Sequence, residues 1–369
     1  MRRIELDFRL NNPILACGAD VKSAFALGKD KEVFLFDGFG DLGELDNFTR
    51  YEKAVEAAEK RLKVRPKIIA CDLHPGYFST RFAEHAQHTK RNTQLYKIQH
   101  HEAHIAGAIL DNSVKGEVIG VAFDGTGLGV DGNIWGGEFF VGCAKSFKRT
   151  GHFEYIPMPG ADCAAKEPWR MAASYLYKVC GKAGLRSVDK KERLILKKMI
   201  DKKINSPLTS SAGRLFDAVG SIVLSKDKVS KEAELPMELE RIADRSCGDI
   251  YGFDVRGKDG MSVIDVSKTI RSIIKDVSKK IPTPIISAKF HNTVACIILE
   301  MASRLRSKFG IDKVVLSGGV FQNRFLTARA LDMLKQGGFK VYMHSMIPTN
   351  DSGIPIGQIA IANARAVCA

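Results

Sequence analysis

The sequence predicts an α/β protein built as two packed lobes, and three observations carry that expectation. A chain of 369 residues exceeds what one hydrophobic core usually supports, so two lobes with a cleft between them follow. Short apolar runs rich in β-branched or aromatic residues, each ended by Gly or Asp, alternate with stretches of helical period. A strand followed by Asp-Gly-x-Gly occurs twice, at Phe36–Gly40 and at Phe123–Gly127, which suits duplicated halves.

Taken in order, Ile14–Ala19, Val33–Phe36 and Ile68–Cys71 are short and uniformly apolar, and read as buried strands. Asn47–Leu62 has helical spacing. A strand-like Leu95–Ile98 leads into a helix over His101–Leu110, and the polar break Asp111–Glu117 marks the expected boundary between a first lobe, 1–112, and a second, 113–369. The second lobe opens on the strand Val118–Phe123 and continues with a helix at Pro168–Val179. Leu185–Asp265 is charge-rich and short of strand signals, so a mostly helical insertion is expected over about 180–265, with a loop at Ser206–Ala212. Helices at Ala288–Phe309 and Asn323–Gln336 flank a strand at Val314–Leu316, and a helix over Gly357–Ala366 follows.

The net charge of +14 favours acidic partners, whether nucleotides, tRNA or an anionic protein surface. Part of it sits in Lys178–Lys203, where Lys and Arg alternate with apolar residues as on a solvated amphipathic helix. The eight Cys never form C-x-x-C, and Cys71 and Cys296 lie in apolar runs, as buried thiols of a reducing compartment do. Met1–Phe8 lacks the apolar stretch of a signal peptide and no later run reads as a membrane span. The expectation is a cytoplasmic protein with no membrane association.

Gln99-His100-His101-Glu102-Ala103-His104 carries the strongest local signal. Histidines four apart on a helix share one face, about 5–6 Å apart, where they can clasp a divalent ion. By spacing alone, a cluster making structural hydrogen bonds remains equally open. Asp124 ends a buried strand at the turn Gly125-Thr126-Gly127, where backbone N–H groups can approach a phosphate, although Asp before Gly also begins ordinary turns. Gly318-Gly319 leads from strand to helix, a ready anion site. Asp351, before the last helix, reads as a cap or as an oxygen ligand; two imidazoles with two carboxylates would suit iron, zinc or manganese. Neither G-x-x-x-x-G-K-[ST] nor a strand-borne G-x-G-x-x-G occurs, which disfavours P-loop and dinucleotide enzymes.

The order of motifs resembles the large C-terminal module of the HypF-type carbamoyltransferases. The blocks run Ala16–Asp20, Cys71–Tyr77, His100–His104, Phe123–Gly127, Trp135–Phe139, Glu167–Ala172, Thr209–Ala218, Ser317–Asn323 and Asn350–Gly353, and span essentially the whole chain. The resemblance implies the two-lobed actin, sugar-kinase and Hsp70 (ASKHA) fold, with the helical insertion in the second lobe. It groups His100, His104, Asp124 and Asp351 as ligands of a divalent metal, iron or zinc. It implies that Gly125, Thr126, Gly127, Gly318, Gly319 and Asn323 bind ATP, AMP or carbamoyl adenylate, with Lys166 and Arg170 countering negative charge. Gly213, Arg214 and Asp217 would face the nucleoside or carbamoyl side, Asp217 orienting Arg214. A salt bridge to a neighbour is the plainer reading of Arg170.

The implied reaction moves a carbamoyl group from carbamoyl adenylate to the C-terminal Cys of a HypE-like protein in nickel–iron hydrogenase maturation. A complete HypF also carries an acylphosphatase-like domain, C-x-x-C zinc fingers and a YrdC-like domain, and no block here matches them. The carbamoyl adenylate is therefore expected from a separate YrdC-like protein, unless the donor differs, the chain is a fragment, or the HypF role is lost. A tRNA threonylcarbamoyl transferase and a non-catalytic nucleotide-binding subunit are the alternatives. Phe-Asp-Gly-Thr-Gly and Glu-Pro-Trp-Arg resemble HypF more than the tRNA enzyme.

Overall fold

A computed structural model describes residues 1–90, 92–181 and 188–366. The first half comprises strands β1 (Arg2–Glu5), β2 (Ile14–Ala16), β3 (Ala24–Lys29) and β4 (Glu32–Asp37), helix α1 (Leu45–Leu62), β5 (Ile68–Asp72), α2 (Phe78–Thr89), β6 (Gln94–Ile98) and α3 (His100–Asp111). The second begins with β7 (Val118–Leu128), β8 (Ile134–Cys143), β9 (Ser146–Phe153) and β10 (Ile156–Pro157), then α4 (Cys163–Lys166), α5 (Trp169–Cys180), α6 (Lys190–Asp201), β11 (Leu208–Thr209), α7 (Ala212–Leu224) and α8 (Glu234–Ile242). It continues through β12 (Asp254–Lys258), β13 (Met261–Asp265), α9 (Ser267–Ser278), α10 (Thr283–Phe309), β14 (Lys313–Ser317), α11 (Arg324–Gln336), β15 (Lys340–Met343) and α12 (Ile354–Ala366).

Each half builds a sheet of the same plan. The first has the order β1-β4-β3-β2-β5-β6 and the second β12-β13-β9-β8-β7-β14-β15, with the short β10 and β11 off that path. In both, an antiparallel meander of three strands (β2 to β4, β7 to β9) is followed by two parallel strands beside its first member (β5 and β6, β14 and β15). The halves are thus duplicated, but the echoed Asp-Gly-x-Gly motifs are not equivalent. Asp37 ends β4, the third strand of its meander, whereas Asp124 lies in β7, the first. The counterpart of β7 is β2, which runs into Cys17-Gly18-Ala19-Asp20.

The helix that ends each half packs on the opposite sheet. α3 lies against β7, β8, β14 and β15, and α12 against β2, β3, β5 and β6, with the two helices in mutual contact. Gly357 permits that contact, since a Cβ there would overlap the Ala103 carbonyl. The ladder β2-β5-β6 forms because Ile68–Asp72 is buried at every position, as a central parallel strand is.

Some elements were hidden from periodicity. β8 is broken by Gly136, Gly137 and Gly142, which dilutes its strand pattern although Trp135–Val141 are buried. The charge-rich insertion carries α6, α7 and α8, but it also ends in the hairpin β12–β13, which extends the second sheet. Residues 182–187 of the basic stretch lie outside the described residues. α10 starts at Thr283, earlier than its apolar period suggests, because Pro282 and Pro284 suit a first helical turn. Among the described residues it is the one helix long and apolar enough to cross a membrane, but 72% of its apolar window is buried in the protein, as a core helix is.

Candidate functional site

The site begins where β6 hands over to α3. Gln99 caps the helix, its Oε1 accepting from the backbone N–H groups of His101 (2.7 Å) and Glu102 (3.0 Å), so the first helical residue is His100. One turn later His104 projects from the same face, and the two rings lie 4.9 Å apart. The facing half supplies two carboxylates. His100 Nε2 stands 3.4 Å from Asp124 Oδ2 and 3.8 Å from Asp351 Oδ1, and His104 Nε2 stands 3.6 and 3.7 Å from the same two atoms.

Asp124 is held from below and from the side. Phe123 packs among the rings of Phe139, Phe153 and Phe321 at 5.4–5.6 Å, fixing the strand just before the carboxylate. Gly319 N–H donates to Asp124 Oδ1 (3.0 Å), which turns Oδ2 toward the histidines. That approach needs glycine at 318, which has φ +105° and whose Cβ would overlap the Phe123 carbonyl. Ser211, the cap of α7, donates through Oγ to the Asp124 carbonyl (2.8 Å) and lies 2.6 Å from that of Gly125. Asp351 opens a single 3-10 turn, Asp351–Gly353, before α12.

Burial alone would lower the His100 imidazole, but Asp124, Asp72 and Asp351 outweigh it and hold the ring well above its ordinary range. His104 is raised in the same way against burial, by Asp124 and Asp351. Burial would push the Asp124 carboxyl up, yet the two histidines keep it well below the usual range. Buried His101 is driven well down by desolvation.

The residues fit a divalent metal. His100 Nε2 and His104 Nε2 are buried and have no hydrogen-bond partner, and the four ligand atoms lie within 4.8 Å of one another. Ligands about 2.1 Å from a tetrahedral ion stand about 3.4 Å apart, close to the separations found. His100 Nδ1 lies 2.8 Å from Asp72 Oδ2, both side chains being 1% exposed. A carboxylate there accepts the Nδ1 proton and leaves the Nε2 lone pair free for an ion. Sequence reasoning missed Asp72; its signal was an Asp closing the apolar strand β5.

The anion-binding candidates separate into groups. Gly125 and Gly213 meet where the N-terminus of α7 abuts the Asp124 turn, a Cβ on Gly213 falling 2.9 Å from Gly125 Cα. Thr126 is exposed beside them. Gly127 packs under the rings of His100 and His101, where a Cβ on it would lie 3.1 Å from His100 Cδ2. Arg214 is buried, its Nη2 stands 3.0 Å from Asp217 Oδ2 as an ion pair, and its Nε and Nη1 have no hydrogen-bond partner. Burial pushes the Asp217 carboxyl up to about 6 even beside that guanidinium.

Three other candidates have settings of their own. Asn323 caps α11 through Oδ1, which accepts from Leu326 N–H (2.9 Å), and its Nδ2 lies 2.9 Å from His291 Nε2, so its amide is already engaged. Arg170 pairs with Glu167 at 2.6 Å. Lys166 is exposed at the end of α4.

Comparison with known proteins follows the same division. Residues 9–111 match the sequence profile of the HypF Kae1-like domain, and residues 120–358 that of the carbamoyltransferase, Kae1-like domain, second subdomain. The chain is 31% identical to a probable carbamoyltransferase HypF of Methanocaldococcus jannaschii, over 96% of this chain and 47% of that protein. It is 32% identical to a carbamoyltransferase HypF homolog of Cupriavidus necator, over 95% of this chain and 91% of that one. A tRNA N6-adenosine threonylcarbamoyltransferase of Dictyoglomus turgidum is 26% identical over 42% of the chain. A crystal structure of full-length HypF in a phosphate- and nucleotide-bound form superposes with a TM-score of 0.92 at 38% identity, covering 98% of this chain and 47% of that one. The chain therefore spans about half the length of the archaeal relative and of the solved protein.

Proposed function

The chain belongs to the HypF carbamoyltransferase family, in its Kae1-like part, and from that premise we propose that it transfers a carbamoyl group from carbamoyl adenylate to an acceptor thiolate. The observation that carries this reading is the pair of buried, unpartnered imidazole nitrogens on α3 facing two carboxylates from the other half of the chain. His100, His104, Asp124 and Asp351 would hold one divalent ion, iron or zinc. When bound, such an ion supplies Lewis-acid polarisation and positive charge toward a phosphate or carbonyl oxygen.

The chain's own residues orient and neutralise. Asp72 fixes the His100 ring, and Gly319 N–H aims Asp124. The turn Gly125-Thr126-Gly127 with Gly318 and Gly319 offers backbone close to the nucleotide's phosphate. Arg214 brings two free N–H donors to it, while Asp217 holds the guanidinium in place. Lys166 and Arg170 are assigned the outer charge-balancing role, Arg170 after release from Glu167. The acceptor thiolate, having lost its proton to solvent, attacks the carbamoyl carbon. A C–S bond forms, the bond from that carbon to the phosphate oxygen breaks, and AMP leaves with the electron pair.

No enzyme thiol is assigned a covalent step. Cys17 is fully buried and burial raises its thiol well above the ordinary range; burial likewise pushes Cys71 up to about 12. Thiols so desolvated are poor nucleophiles. The acceptor in this reading is the C-terminal Cys of a HypE-like protein, and a YrdC-like protein supplies the adenylate in the cytoplasm. Threonylcarbamoyl transfer to tRNA is the second reading, favoured by the partial similarity to the tRNA enzyme and by the basic helix α6.

The test supplies synthetic carbamoyl adenylate and a HypE-like acceptor to metal-loaded wild type, Cys17→Ser and Cys163→Ser, and follows acceptor mass. All three should yield the carbamoyl adduct. An adduct formed by wild type but lost in either variant contradicts direct transfer, and no adduct with wild type contradicts the transferase reading.

A further inference from the structure

The strand pairing around Asp124 is irregular twice, and both irregularities converge on Glu138. In the β7–β8 ladder Phe123 pairs with Gly137 and Gly127 with Trp135, so Asp124, Gly125 and Thr126 stand opposite Gly136 alone. Asp124 therefore lies in a bulge, a device that re-aims a side chain out of a regular strand. In the β8–β9 ladder Phe139 pairs with Gly151 and Phe140 with Arg149, which leaves Thr150 as an extra residue. Without it Arg149 would stand opposite Val141, on the other face of the sheet; the bulge puts Arg149 on the face of Glu138.

The Glu138 side chain is fully buried. Its Oε1 accepts from the backbone N–H groups of Gly136 and Gly137, each at 3.1 Å, and from Ser210 Oγ. Its Oε2 accepts from Arg149 Nε at 2.6 Å, and that guanidinium lies 3.8 Å over the Trp135 ring. Two N–H groups of the strand facing the bulge are thus satisfied by a side chain. Through Ser210 the same oxygen holds the turn whose next residue, Ser211, donates to the Asp124 carbonyl. The packing here is close: a Cβ on Gly136 would lie 2.6 Å from the Asp124 carbonyl oxygen, and one on Gly137 2.4 Å from that of Ser210. A carboxylate suits this place because it accepts on both oxygens, whereas an amide would turn a donor either toward the glycine N–H groups or toward Arg149.

We infer that Glu138 is a positioning residue for the metal centre. Its Oε1 fixes the strand and the turn against which the Asp124 bulge is shaped, and Arg149 orients and neutralises the carboxylate. The inference rests on the reading of His100, His104, Asp124 and Asp351 as a divalent-ion site, and adds to it an acceptor that acts through Asp124 rather than on the ion.

The test titrates the full chain with cobalt(II), whose visible absorption reports ligand geometry as well as occupancy. Two charge-balanced double variants separate the acceptor from the charge. Glu138→Gln with Arg149→Met keeps an oxygen for the three donors and should bind cobalt near wild type with the same spectrum. Glu138→Leu with Arg149→Met fills the space without an acceptor; it should bind about tenfold more weakly, the scale of lost support behind a ligand, with an altered spectrum. Ser210→Ala should weaken cobalt about threefold, as loss of one neutral hydrogen bond does, and decides the matter if the Leu variant does not fold. Val55→Ala, a truncation of a buried residue of α1, should lower the unfolding midpoint and leave cobalt binding unchanged. Equal affinities in the Gln and Leu variants, or wild-type affinity in Ser210→Ala, would overturn the inference while leaving the metal site standing. Loss of cobalt in Val55→Ala as well would make the effect one of stability and overturn it too. A wild type that binds no cobalt would remove both readings.

Discussion

Replacing Asp72 by Asn isolates the support behind the proposed metal centre. The side chain keeps its shape, and one oxygen can still accept from His74 N–H, as Asp72 Oδ1 does at 2.9 Å. What is lost is the negative charge 2.8 Å from His100 Nδ1 in a setting where both groups are 1% exposed. A charge-assisted bond there contributes about 1.5–3 kcal/mol against about 0.5–1.5 for a neutral one. The imidazole becomes less basic, and an Asn amide can present N–H to Nδ1 and draw the wrong tautomer. Outer carboxylates of this kind change metal affinity about 10–100-fold, roughly 1.4–2.7 kcal/mol. Competition titration of zinc against a chelator of known affinity should show that loss, with stoichiometry at saturation unchanged. Affinity within twofold of wild type would refute the argument.

Other expectations concern the fold that holds the site. Gly357→Ala forces a methyl into the Ala103 carbonyl and should cost about 1–3 kcal/mol or more in urea unfolding, as overpacking does; it should also weaken metal binding, because Ala103 lies between the two histidines. Stability within about 0.5 kcal/mol of wild type would contradict that, since surface changes stay in that range. His291, buried against Phe216, Phe290 and Phe325, is lowered by burial from 6.5 to about 4. The unfolded chain binds the proton first, so stability is lost as pH falls from about 6.5 to about 4. From pH 7 to pH 5 wild type should lose roughly 2 kcal/mol more than His291→Gln. Equal losses would show that His291 is not held neutral.

Much of this site is legible in the chain itself because its parts are local. The spacing of His100 and His104 is a property of one helical turn, and Asp124 declares itself by ending a buried strand at a glycine turn. Asp351 is different. An Asp before a helix is ordinarily a cap, and only the family resemblance groups it with residues far away in sequence. Asp72 was missed because the register of β5 with β6, Asp72 opposite Ile98, brings it under His100, and register is set by tertiary packing. Periodicity identifies α12 as a helix but carries no information on which sheet it covers, and the glycines that let β8 fit against its neighbours also erased its pattern. Asn323, expected beside a nucleotide, is a helix cap bonded to a buried histidine, two uses of one amide that the motif alone does not distinguish.

The central claim is that residues from both halves of the chain close on one divalent ion. Elemental analysis of protein purified without chelator, set beside a His100→Ala, His104→Ala double variant and checked by circular dichroism for retained fold, tests it most directly. The account predicts close to one ion per chain in wild type and a near-complete loss in the folded double variant. Equal metal content in the two preparations would contradict it.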